Sequence, residues 1–210
     1  MGLPDLFRVI RVDFVLRFVA IATVAISMGI YFLVQRFLFP DLGLFRVVLI
    51  SSIVSAILVF LLLMPSVSRR VWAIASQFDS SIFPDLNGTW EGLIYPEPGR
   101  EEIPVRAVIR QSLLTTQIDL HGESIKSTTL ETTPLKDQGQ NKMHYVYRAV
   151  PKHPQWSSYE GSTMFDVRTA GSGKKRTSKL SGRYYTDRKT IGRISLTQTS
   201  SDPSVDVSYY

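Results

Sequence analysis

Residues 84–95 read PDLNGTWEGLIY, and this stretch divides two kinds of chain. The sequence before it is apolar for long runs. The sequence after it breaks into short alternating segments separated by Gly, Pro, Asp and Lys. If the stretch is extended, Gly88, Trp90, Gly92 and Ile94 share one face and Thr89, Glu91, Leu93 and Tyr95 the other, because side chains alternate along a strand. An indole between two glycines suits the narrow end of a small barrel, where a ring closes the floor if its neighbours leave room. An ordinary core Trp on a bent strand is the other reading.

Downstream of Asn87 no apolar run is long enough for a core helix, and turn signals recur at the spacing of an all-β domain. Eight strands are expected, at about 87–95, 103–111, 114–121, 123–132, 142–150, 160–169, 177–186 and 190–200. The connections between them include residues 134–141 and 151–159. Short connections favour an up-and-down meander that closes into an eight-stranded lipocalin- or streptavidin-like barrel. Alternation nominates its inner face: Ile103, Val105, Ala107 and Ile109; Thr116, Ile118 and Leu120; Met143, Tyr145 and Tyr147; Thr163, Phe165 and Val167; Leu180, Gly182 and Tyr184; Ile194 and Leu196. Buried hydroxyls need partners, so the Tyr and Thr residues of this face lean toward a pocket for something planar and partly polar rather than a dry core.

Upstream, residues 18–34 and 47–64 carry no charge over 17 and 18 residues, about the length that crosses a hydrocarbon core. They are expected to form a transmembrane hairpin over residues 1–66, followed by a juxtamembrane helix and linker over 67–84 and a cytoplasmic barrel over 85–210. Arg8, Arg11, Arg17, Arg69 and Arg70 flank the hairpin, against Arg36 and Arg46 between the spans. That asymmetry places both termini in the cytoplasm. Gly29 in the first span and Ser52 and Ser55 in the second belong to small, hydroxylated stretches that let helices approach closely, within the hairpin or between protomers.

The net charge of +6 is compatible with anionic lipid or a phosphate ligand and too small to argue for DNA or RNA. There is no Cys, hence no thiolate-held zinc, and His121, His144 and His153 have no metal-ligand spacing. No nucleophile elbow, Walker loop or carboxylate dyad stands out, so the expectation is a protein without catalysis, metal or cofactor. In an up-and-down barrel the turns after odd-numbered strands gather at one end. They bring together Arg100, Lys152, His153, Arg188 and Lys189, with Trp156 and Tyr159 as a lid, a set suited to phosphates and bases. The candidate ligand-binding residues are therefore Trp90, Arg100, Tyr145, Tyr147, Lys152, Thr163, Tyr184, Arg188 and Lys189.

Two apolar spans, LNGTWEG at 86–92, the strand-rich remainder and RYYTDRKTIGRISL at 183–196 together resemble the two-transmembrane β-barrel effectors of CBASS, the cyclic-oligonucleotide-based antiphage signalling systems. Gly88, Trp90 and Gly92 match the opening motif of that family, and Tyr184, Tyr185, Thr190 and Gly192 its closing hairpin. The resemblance implies a bacterial inner-membrane protein whose barrel binds a cyclic dinucleotide made by a partner nucleotidyltransferase (CD-NTase). On binding, protomers would oligomerise and breach the membrane in abortive infection. A membrane-anchored barrel that binds an apolar ligand or scaffolds a protein partner is the alternative.

Overall fold

The strand alternation that begins at Gly88 resolves into eight antiparallel strands in a computed structural model. It describes residues 12–37, 43–64, 66–67, 70, 83–96, 101–112, 115–170, 177–204 and 207. The strands are β1 (Gly88–Pro96), β2 (Ile103–Gln111), β3 (Thr116–Gly122), β4 (Ile125–Asp137), β5 (Gln140–Pro151), β6 (Tyr159–Ala170), β7 (Thr177–Thr186) and β8 (Ile191–Ser200). Each pairs with the next in sequence, and β8 returns to β1 to close the barrel. The expected inner face is buried throughout except Ile103, which at the start of β2 is 42% exposed.

The largest departure from expectation lies in β4 and β5. Residues 134–141 are not a loop: β4 runs to Asp137 and β5 starts at Gln140, joined by Gln138 and Gly139 with φ of 48° and 80°. Left-handed backbone at both central positions matches the right-handed twist of the flanking strands. Pro134 pairs with Met143 but lies beyond the part of β4 that is laddered to β3, so its missing N–H breaks no bond on that side. A bulge at Leu130 shifts the β4 register between Thr129 and Glu131 and reverses the alternation downstream.

The β3–β4 seam has a backbone ladder only at Leu120–Ser127 and His121–Lys126. Threonines continue it. The Ile118 N–H donates to Thr129 Oγ1 at 2.7 Å, and the same hydroxyl donates to the Ile118 carbonyl at 2.8 Å. The Thr132 hydroxyl bonds the Thr116 carbonyl likewise. One side-chain hydroxyl here does the work of a backbone donor and acceptor.

One end of the barrel is plugged by the segment that precedes β1. Leu86 is fully buried; its carbonyl accepts from Trp90 Nε1 at 3.0 Å and its N–H donates to Gln111 Oε1 at 2.7 Å. The Asn87 side chain bonds the Gln111 backbone in both directions, and Gln198 Nε2 donates to the Asn87 carbonyl. The glycines beside Trp90 lie against the backbone of β8. A Cβ on Gly92 would lie 1.9 Å from the Ser195 carbonyl oxygen, and one on Gly88, whose φ is 133°, 1.9 Å from that of Ser200. They make room for β8 to close on β1.

The helical unit is described separately. α1 (Val12–Phe37) and α2 (Leu44–Leu63) are both helices as expected and touch each other. Among the described residues no helix is long and apolar enough to cross a membrane. The transmembrane hairpin is thus not supported on that count; the side chains of Phe18, Val19, Val34, Val47, Leu62 and Leu63, which belong to the two uncharged runs, lie outside the description. The described faces are nonetheless strongly apolar and exposed: Ile21 and Phe32 are each 70% exposed and Phe60 63%. Gly29 and Ser52 are exposed and Ser55 half-buried. Ser52 donates to the Val48 carbonyl, which satisfies its hydroxyl within its own helix. The expected juxtamembrane helix over 67–84 lies almost wholly outside the described residues.

Candidate functional site

The opposite end of the barrel gathers the polar and aromatic part of the interior. Tyr145, Thr163 and Tyr184 form a row across β5, β6 and β7, because Tyr145 pairs with Thr163 and Thr163 with Tyr184. Tyr147 lies one step nearer the mouth, opposite Gly161. Tyr145 stacks on Tyr147 with ring centroids 5.1 Å apart and on Phe165 at 6.1 Å, within the range in which aromatic pairs attract. Glycines let the outer two rings lie flat. A Cβ on Gly161 would meet the Tyr147 hydroxyl at 2.5 Å, and one on Gly192 the Tyr184 hydroxyl at 2.7 Å.

Burial pushes the phenols of Tyr145 and Tyr147 well above their ordinary titration range; for Tyr145 the hydrogen bond with Ser127 opposes the shift, and for Tyr147 the neighbouring Tyr159 adds to it. Both are neutral donors near pH 7. The Tyr145 hydroxyl is engaged by Ser127 Oγ at 3.1 Å and the Ile118 carbonyl at 3.3 Å. Thr163 Oγ1 is buried without a partner, in a residue 1% exposed. A buried polar atom with no partner costs about 1–3 kcal/mol unless something binds it. Two others in the barrel, Gln111 Nε2 and Thr116 Oγ1, belong to the plugged end of their strands. Below Tyr145 the interior is filled by Trp90, Phe165, Met143, Leu180 and Leu196, which leaves the Tyr147 end of the barrel as its polar part.

The rim holds the basic residues, and it ties down the Arg188 side chain. Arg188 lies over the Tyr159 ring at 4.4 Å and donates through Nη2 to the Ser157 carbonyl, clamping the β5–β6 loop to the β7–β8 turn. That turn is fixed from the other side by the Asp187 N–H on the Glu160 carbonyl and the Glu160 N–H on Asp187 Oδ2. Burial raises the pKa of Tyr159, and Arg188 opposes the rise. Lys189 completes the turn with a φ of 61°. The Lys152 N–H donates to the Ser124 carbonyl, linking two loops of the rim. Trp156, 57% exposed, packs beside His153 at 5.3 Å.

Of the residues nominated from sequence, Tyr145, Tyr147, Thr163 and Tyr184 come together inside, with Lys152, Arg188 and Lys189 on loops of the same end. Trp90 lies at the plugged end, and Arg100 is outside the described residues. Sequence reading missed Ser127, because no inner face was assigned to β4, and it counted rim cations without the carboxylates Glu101, Glu102, Glu123, Glu160 and Asp187 among them. No cluster of His, Asp or Glu that could hold a metal occurs among the described residues.

A closed barrel with one end plugged and the other lined by neutral hydroxyls and aromatic rings is built as a binding module. Residues 81–198, more than half of the chain, match the family described as "Cap15, cyclic dinucleotide receptor domain", and the chain belongs to that family. It is also similar to CD-NTase-associated protein 15 of Staphylococcus schleiferi, 27% identical over 118 residues. That alignment covers 53% of this chain and 59% of the relative, so the chain spans somewhat under two thirds of that protein.

Proposed function

We propose that this chain is a CBASS antiphage effector whose barrel binds a cyclic dinucleotide at the mouth formed by Tyr147, Thr163 and Tyr184. The observation that carries the reading is the unpartnered Thr163 hydroxyl, buried among neutral phenols in a domain of a dinucleotide-receptor family. Neutral donors and aromatic faces recognise bases by hydrogen bonding and stacking. Lys152, Lys189 and Arg188 supply positive charge for the two phosphates, Arg188 by exchanging the Ser157 carbonyl for a phosphate oxygen. The site reads and does not transform its ligand.

Thr163→Val separates this role from a structural one, since Val keeps the shape and removes the hydroxyl. The unliganded variant is expected to be as stable as the parent or more stable, by up to about 1–3 kcal/mol, while its affinity for the dinucleotide falls about tenfold, equivalent to about 1.4 kcal/mol. Calorimetric titration and thermal melting of the same preparations provide both numbers. A more stable variant that binds as tightly as the parent would remove the mouth from the account.

The response to the ligand resides in the helical unit. We propose that it lies in the bacterial inner membrane with both termini cytoplasmic, and that dinucleotide binding drives protomers to associate through it and disrupt the bilayer. The uncharged runs 18–34 and 47–64 and the exposed Ile21, Phe32 and Phe60 support this. A groove on α2 between Ser52, Ser55, Ala56 and Phe60, with the open surface at Gly29, supplies a face for close helix packing. In cells expressing the full chain, it should remain with the membrane pellet after alkaline carbonate extraction. Release into the supernatant would rule out an integral hairpin.

A further inference from the structure

We propose a second anion site, separate from the mouth, on the outer wall of the barrel where β1, β8 and β7 lie side by side. Register places Leu93, Ser195 and Ser181 in one outward row and Tyr95, Arg193 and Arg183 in the next. Two serines facing each other beneath long side chains leave a depression of about 380 Å³ lined by Tyr95, Ser181, Arg193 and Ser195. Arg193 lies over it, its Nε and Nη2 both donating to Ser181 Oγ at 3.1 and 2.9 Å.

Arg183 stands directly opposite Arg193. Like charges in a cross-strand pair destabilise a sheet, and this pair has no internal remedy. The ion pairs among the described residues use Arg106, Arg110, Lys142 and Arg148, and neither Arg183 nor Arg193. Arg183 instead rests near the Tyr185 ring, 5.7 Å from its centroid. Among the described residues the carboxylates facing this wall are Glu91, which pairs with Arg106, and Asp166, across the β6–β7 ladder from Ser181 and on the far side of it from Arg193. Two guanidinium forks, serine hydroxyls and the Tyr95 phenol form a donor set that matches the oxygens of a phosphate. The ligand class is therefore a phosphate group, carried either by a soluble molecule or by an anionic lipid headgroup. Met164, Tyr185 and Ile191, all exposed, border the site with apolar surface.

The test uses the full chain in neutral detergent with the arginine Nε–H groups observed by nitrogen-15 NMR, the Arg183 and Arg193 signals assigned by substitution. Inorganic pyrophosphate is titrated in one arm and phosphatidylglycerol is mixed into the micelles in the other. A saturable shift of the Arg193 signal is expected in at least one arm. Pyrophosphate alone would mark a soluble ligand, and phosphatidylglycerol alone a headgroup. Arg183→Glu should weaken that response at least tenfold, whereas Thr163→Val, which alters the mouth, should leave it intact. No saturable shift in either arm, or a shift that survives Arg183→Glu, overturns the proposal. A shift lost with Thr163→Val but kept with Arg183→Glu would assign the probe to the mouth and equally end it.

Discussion

Trp90→Ala is expected to destabilise the barrel by about 3–5 kcal/mol, the range for truncating a large core aromatic. Trp90 is fully buried at the plugged end, and two losses coincide there. Truncation leaves a cavity above Leu86, and it strips the Leu86 carbonyl of the donor it has in Trp90 Nε1. The carbonyl cannot simply turn to solvent, since the Leu86 N–H is bonded to Gln111 Oε1 and Asn87 ties the same segment to the Gln111 backbone. Trp90→Phe restores most of the volume but not the donor, and should cost about 1–3 kcal/mol. Urea denaturation followed by far-ultraviolet circular dichroism measures both. A loss below about 1 kcal/mol for the Ala variant would mean that the plug does not hold the barrel together.

Gly92→Ala should rival it in effect. The added Cβ would lie 1.9 Å from the Ser195 carbonyl oxygen, with the Leu196 Cα at 2.9 Å. These are backbone atoms of the strand that closes the barrel, so no side-chain rotation relieves the contact, and β1 and β8 must separate. Overpacking usually costs about 1–3 kcal/mol; here the upper end or beyond is expected, with amide exchange accelerating first along β1 and β8. Gly139→Ala is the contrast. Nothing lies within 4 Å of its Cβ, and only the left-handed φ of 80° is penalised, by about 1–2 kcal/mol. Equal losses at the two positions would indicate that the β1–β8 contact is looser than described.

Much of the barrel is legible in the sequence because strand burial has a period of two and most of the turns are short. Val105, Ile118, Tyr145, Phe165 and Leu180 are inside because their parity puts them there. Ile103 has the right parity but lies where β2 begins, at the rim, and parity carries no information about depth. The β4–β5 hairpin is illegible for two reasons. Pro134 reads as a stop, although it lies beyond the part of β4 that is laddered to β3, and Gln138 in left-handed backbone lacks the usual Asn or Asp turn signal. The bulge at Leu130 then hides the parity that would have nominated Ser127.

At the candidate site, the gathering of the aromatic and hydroxyl residues on one inner face is legible in the sequence and the electrostatics are not. Counting cations in turns finds Arg188 and Lys189 but not that Arg188 is held by Tyr159 and Ser157, or that Glu160 and Asp187 lie beside it. Those are contacts between residues about 30 apart in the chain, and they depend on strand register that composition does not encode. The same is true of the plug: Leu86, Asn87 and Gln111 meet only because β1 and β2 align, and the polar stretch before Gly88 reads as a joint until they do.

Binding of a cyclic dinucleotide at the mouth of this barrel is measured by calorimetric titration of the unmodified full chain. Purine and pyrimidine cyclic dinucleotides are titrated, with the corresponding linear dinucleotides as controls. Saturable binding of at least one cyclic compound is expected, at least tenfold tighter than its linear counterpart, because ring closure fixes both phosphates and both bases before they meet the site. Absence of binding across the cyclic panel, or equal affinity for the linear compounds, would contradict it.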